Sequence, residues 1–111
     1  MLTNKDYCDY ETCVALKELG FPLVAKEVRY EDNAVFVPGV LLYVAQKWLR
    51  EEKGVIVGII NNFTIQEFDY YVSTWEEDRC RGNEYTTYEN ALLRGIKEAV
   101  KLLKEKEYGK I

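Results

Sequence analysis

The sequence predicts an α+β fold with elements in the order α-β-β-α-β-β-α, a four-stranded mainly antiparallel sheet, and helices mainly on one face. Three observations lead there. Apolar residues recur at helical spacing in three separate segments, short β-prone runs lie in pairs between them, and the links within each pair are short. Strands joined by short turns run antiparallel, and an antiparallel sheet buries one face against helices while leaving the other to solvent.

Asp9 or Asp6 can cap a first short helix, because residues 12–19 carry apolar side chains at helical spacing and Gly20 stands where a C′ residue belongs. Phe21-Pro22 then stops it. Residues 25–30 and 34–37 are β-prone runs separated by Glu31-Asp32-Asn33, a turn composition, and Pro38-Gly39 ends the hairpin. Residues 40–54 begin after a proline and end in a glycine, with Leu41, Val44, Ala45, Trp48 and Leu49 at i, i+3, i+4, i+7 and i+8, the pattern of an amphipathic helix.

Residues 55–60, Val-Ile-Val-Gly-Ile-Ile, read as a central strand apolar on both faces. Asn61-Asn62 turns the chain into a partner strand at 67–75. There Phe68, Tyr70, Val72 and Thr74 share one face, and Asp69, Tyr71, Ser73 and Trp75 share the other. Residues 76–84 are polar and without period, and read as a loop. In the last helix, 86–104, Leu92, Ile96, Ala99 and Leu103 form one apolar stripe, opposite Arg94, Lys97, Lys101 and Lys104. Thr86 with Glu89 fits a capping box, and Thr87 is the alternative cap.

At 111 residues the chain is long enough to own a core, and residues 1–111 are expected to form a single globular domain. Its 14% aromatic content argues against disorder. No segment reaches the roughly 18 apolar residues of a membrane span, and the first residues lack a secretory h-region, so a cytoplasmic protein is expected. An odd count of cysteines, Cys8, Cys13 and Cys80, reads as reduced thiols. Histidine is absent, which removes His-based triads, imidazole acid-base chemistry and imidazole zinc sites.

Four groups of residues are candidates for function. The basic stripe of Arg94, Lys97, Lys101 and Lys104 is a candidate phosphate-contacting ridge, but Glu98 and Glu105 weaken its field, the net charge is −4, and lysines near a helix C-terminus are favoured by the macrodipole alone. Cys8 and Cys13 are spaced outside the usual zinc patterns, so neither a metal nor another cofactor is expected. Glu76, Glu77 and Asp78 form a loop cluster that could bind a cation or a basic partner, without a Gly-rich or D-x-D frame. A small enzyme using carboxylates or Cys80 between two arginines has no catalytic motif to frame it. Tyr71 and Trp75 lie on the strand face away from the expected core, where an exposed aromatic patch marks a subunit or protein interface. The competing reading has the first helix, or Tyr7 and Tyr10, folding back over them.

Several of these segments also resemble a family of small proteins from gut bacteria and their phages or mobile elements. The likeness rests on Leu16-Lys17-Glu18-Leu19-Gly20-Phe21, on residues 40–54 after Pro38, and on Thr87-Tyr88-Glu89-Asn90-Ala91-Leu92 leading into Gly95-Ile96-Lys97-Glu98-Ala99. These are helix seams and caps. The resemblance therefore implies a shared fold and a bacterial cytoplasmic accessory protein, and it carries over no functional residue. The expectation from the sequence is a non-enzymatic module that associates with itself or a protein partner through Tyr71 and Trp75. Nucleic-acid binding through the basic stripe is the alternative.

Overall fold

A computed structural model describes residues 6–22, 25–30, 33–62, 67–75 and 78–108; for 25–30, 33–38, 62, 79–84 and 107–108 the backbone alone is described. Helix α1 (Tyr10–Glu18) starts at Asp9, whose carboxylate accepts a hydrogen bond from the Thr12 amide at 2.9 Å. It ends in a Schellman closure. The Gly20 amide donates to the Lys17 carbonyl at 2.9 Å and the Phe21 amide to the Leu16 carbonyl at 3.0 Å. Gly20 sits at φ 103°, a region that residues with a Cβ rarely enter.

Strands β1 (Ala25–Tyr30) and β2 (Asn33–Pro38) pair antiparallel, Ala25 opposite Pro38 and Tyr30 opposite Asn33, in a sheet of their own. Helix α2 (Leu42–Lys53) follows, and its last carbonyls are closed by Gly54 at φ 66° and by the Val55 amide, which reaches the Leu49 carbonyl at 3.0 Å. Strands β3 (Ile56–Asn62), β4 (Glu67–Ser73) and β5 (Asp78–Tyr85) then form an antiparallel sheet in the order β3-β4-β5. Helix α3 (Tyr88–Tyr108) is capped by Thr87, whose hydroxyl oxygen accepts from the Asn90 amide at 3.1 Å.

Alternation in the three-stranded sheet separates two faces. Val57, Tyr70 and Val72 are buried on the inner one, under Ala91, Leu92, Ile96 and Ala99 of α3. Gly95 makes the crossing close. A Cβ at that position would lie 2.6 Å from Val57 Cγ1 and 3.3 Å from Tyr70 Cβ, so the helix backbone rests almost directly on the sheet. Helix α1 packs against α3 and adds Cys13 and Leu16, both fully buried, to the same core. Helix α2 contributes Leu42, Ala45 and Leu49. The expected α2 stripe is therefore rotated: Val44 is exposed, and Leu41 is the N-cap residue, bridged to Tyr7.

The predicted single four-stranded sheet is overturned. The described residues hold five strands in two sheets, one of two strands and one of three, and the chain order is α-β-β-α-β-β-β-α. Residues 76–84, read as a loop, contain most of β5. That strand has a charged sequence because it lies at a sheet edge, where backbone pairing to β4 rather than burial of both faces holds it. It is also bulged, since Phe68 pairs with Tyr85 while Tyr70 already pairs with Arg81. Residues 55–60, read as a central strand, supply the opposite edge. The flank at the start of β3 is taken by α2, whose Gln46 Nε2 donates to the Val57 carbonyl at 2.6 Å, so the first hairpin does not continue the sheet there.

Gly95→Ala tests the close crossing. On a free helix this change stabilises by about 1 kcal/mol. Here the added methyl meets the stiff, buried Val57, and overpacking costs about 1–3 kcal/mol. Denaturant titration should show a net loss of stability of roughly 1 kcal/mol, in contrast to the gain a solvent-facing helical glycine would give.

Candidate interaction face

The outer face of the three-stranded sheet is built from the residues that alternate with the core. On β3 these are Ile56 and Ile60, 46% and 44% exposed, with Gly58 between them. On β4 they are Asp69, Tyr71 and Ser73. Gly58 pairs directly with Tyr71, and the tyrosine ring lies across the glycine: a Cβ there would meet the far end of the ring at 2.1–2.3 Å. The ring shields the bare glycine backbone in the manner of aromatic rescue. Tyr71 is accordingly only 36% exposed.

Trp75 follows β4 at a bend and is 99% exposed. It borders a shallow concavity of about 380 Å³ shared with Arg50, Gly54, Ile56, Ser73 and Thr74. Ile56, Ile60, Tyr71 and Trp75 thus form an apolar line on the side of the sheet away from α3. The polar members are Ser73, which donates to Asp78, and Asp69, one of whose carboxylate oxygens is buried without a hydrogen-bond partner among the described residues. Neither α1 nor Tyr7 folds over this face. Helix α1 is docked on α3, and Tyr7 is bridged to Leu41.

The basic stripe is differently placed from its expected open helix face. Lys97 Nζ is 2.6 Å from Asp9 Oδ2, and Lys104 Nζ is 2.6 Å from Glu18 Oε2. These two lysines hold down the two ends of α1. Arg94 hydrogen-bonds to Tyr85. Lys101 is exposed, above a groove of about 450 Å³ between the helices that also carries Glu11 and Glu105. Four cations that look aligned in sequence therefore share their neighbourhood with at least as much carboxylate. Burial alone would raise the Asp9 pKa, but the Lys97 ammonium and the Thr12 cap bring it below the ordinary value of 3.8.

Comparison with protein-family models, curated proteins and solved structures finds no match to this chain. Its own geometry is the guide. Among the described residues no helix is long and apolar enough to cross a membrane, and no cluster of three or more Cys, Asp or Glu side chains is arranged to hold a metal ion. Cys8 and Cys13 are buried, and Cys13 Sγ lies 3.8 Å from the Cys8 carbonyl oxygen. Burial, then the neighbouring Cys13 and Asp9, push the Cys8 thiol up to about 12, and burial raises Cys13 as well. Glu76, Glu77 and the Cys80 side chain lie outside the described residues.

The structure also shows a cleft that the sequence reading did not find. Phe21 and Trp48 meet edge to face, with centroids 5.2 Å apart, beside a concavity of about 590 Å³ rimmed by Lys47, Glu51 and Glu52. Lys53 Nζ stands 5.6 Å from the centre of the Trp48 ring. Trp48 read as one more residue of an apolar seam. The available signal was Phe21-Pro22 just past a helix stop, which places a second large ring where α2 can meet it.

Asp9→Asn keeps the helix cap and removes the ion pair, so it should cost about 0.2–1 kcal/mol, whereas Asp9→Ala also loses the cap, worth about 1 kcal/mol more. Because the folded pKa of Asp9 is depressed, its contribution is present at neutral pH and is lost as pH falls through 3.8 toward the lower folded value; stability curves of wild type and Asp9→Asn should converge there. Cys8 and Cys13 should resist alkylation at pH 8 in the native protein and react promptly in denaturant, as read residue by residue by mass spectrometry.

Proposed function

We propose that this chain is a non-enzymatic association module, a bacterial cytoplasmic accessory protein that binds a second copy of itself or another protein through the outer face of its three-stranded sheet. One observation carries the reading: Trp75, 99% exposed, prolongs an apolar line of Ile56, Ile60 and Tyr71 on a face that no helix covers among the described residues. Large aromatic residues held at the edge of a rigid sheet are the residue type that dominates binding energy at protein interfaces.

The two aromatics have unequal roles in this reading. Tyr71 is already half committed to covering Gly58, so it presents a preorganised ring edge with little side-chain entropy left to lose. Trp75 is wholly free to be buried. Arg50, beside Trp75 in the same concavity, supplies a polar rim of the kind that surrounds an apolar interface centre.

Light scattering across a concentration series is the test. Wild type should show a mass above that of the monomer at high micromolar concentration, and Trp75→Asp should lose at least about 2 kcal/mol of association, roughly 30-fold in Kd, with an unchanged circular dichroism spectrum. Tyr71→Asp should weaken association less and lower fold stability more, because it uncovers Gly58. A wild type that stays monomeric throughout removes the self-association form of the proposal.

A further inference from the structure

β3 has the sequence of a strand with neighbours on both sides, yet it lies at an edge. From Val55 to Asn62 it carries no charge, no proline and no bulge, the devices by which edge strands are usually kept from pairing. The opposite edge is the reverse. β5 contains Asp78, Arg79, Arg81, Gly82 and Glu84 and is bulged against β4.

The ladder fixes which groups of β3 are open. The Val55 amide turns toward α2 to reach Leu49, and the Val57 carbonyl turns the same way to accept from Gln46. In an antiparallel pair both backbone groups of a residue point to the same side, and the side alternates. Ile56, Gly58, Ile60 and Asn62 therefore bond to β4, opposite Ser73, Tyr71, Asp69 and Glu67, while Val55, Val57, Ile59 and Asn61 point outward. Helix α2 takes one backbone group at each of the first two, the Val55 amide and the Val57 carbonyl. Among the described residues no strand pairs with the outward groups of Ile59 and Asn61.

The geometry points to a second copy of this chain as the missing neighbour, with β3 pairing antiparallel to β3 of the partner about a twofold axis at Ile60. Ile59 of each chain would then face Asn61 of the other, giving four backbone hydrogen bonds and a continuous six-stranded sheet. Self-pairing is favoured because the stretch from Val55 to Asn62 carries no charge, so the paired strands of two copies meet without side-chain repulsion. The Asp69 carboxylates on the two neighbouring β4 strands would be three strand spacings or about 14 Å apart, beyond the screening length of about 10 Å at 0.1 M salt. Ile60, 44% exposed, would meet its counterpart on the outer face and join the two apolar lines into one.

This inference rests on the association reading and names its partner and contact. Amide hydrogen exchange of the wild-type chain, followed from about 10 μM to about 1 mM, reads the edge directly. The Ile59 and Asn61 amides should gain at least roughly tenfold protection as concentration rises, while the Ile60 amide, bonded to β4 in either state, should not change. Asn61→Pro removes an outward donor without touching the pairing to β4, and should leave the chain monomeric with an unchanged circular dichroism spectrum. Association that persists in Asn61→Pro, with Ile59 unprotected in wild type, overturns the edge contact and leaves the face reading standing. Protection of Ile59 and Asn61 that is independent of concentration overturns it in favour of pairing within one chain. No association at any concentration overturns both it and the self-association reading.

Discussion

The contact on which most of this fold depends is the approach of α3 to the β3–β4 pair at Gly95. A missing side chain lets the helix axis come close enough for Leu92, Ile96 and Ala99 to join Val57, Tyr70 and Val72 in one layer. With α3 so placed, its flanks become docking surfaces: α2 packs on one part of it and α1 on another, tied by Asp9 to Lys97 and Glu18 to Lys104. The first hairpin is the exception, touching the rest mainly through α1. Two-stranded sheets of this kind gain little burial by themselves.

Helices were the most legible part of the sequence. Gly20 and Gly54 act as local stop signals whose effect needs no knowledge of the fold, and both hold in the structure. The start signals are shifted within their alternatives: Asp9 rather than Asp6 caps α1, and Thr87 rather than the capping-box Thr86 caps α3. Strand pairing was less legible, because it depends on distant partners. Residues 78–85 carry the composition of a loop, and only the neighbouring β4 makes them a strand. The stretch at 55–60 misled in the opposite direction. Its β-branched run describes what each side chain prefers to touch, and says nothing about how many neighbours the chain will supply.

The candidate face was half legible. Alternation along 67–75 separates Tyr70 and Val72 from Tyr71 and Trp75, and burial follows that division: the first two are 3% and 1% exposed, the second two 36% and 99%. What alternation does not contain is the tyrosine ring laid over Gly58, since cross-strand register is needed to bring the two together. Charge was misleading for a related reason. Arg94, Lys97, Lys101 and Lys104 form a stripe on an isolated helix, and the carboxylates that answer Lys97 and Lys104 are Asp9 and Glu18 at the two ends of α1, for Lys104 86 residues earlier in the chain.

Because α3 comes after every element it covers, the order of synthesis has a cost. Each hairpin and α2 can form from local contacts as soon as its residues are made. The inner surface of Val57, Tyr70 and Val72 must wait for Leu92 and Ile96, and until they arrive the nascent sheet is greasy on both sides. That interval is when an unprotected chain of this design is most exposed to aggregation, and a chaperone that shields short strands would matter more to it before α3 is made than afterwards.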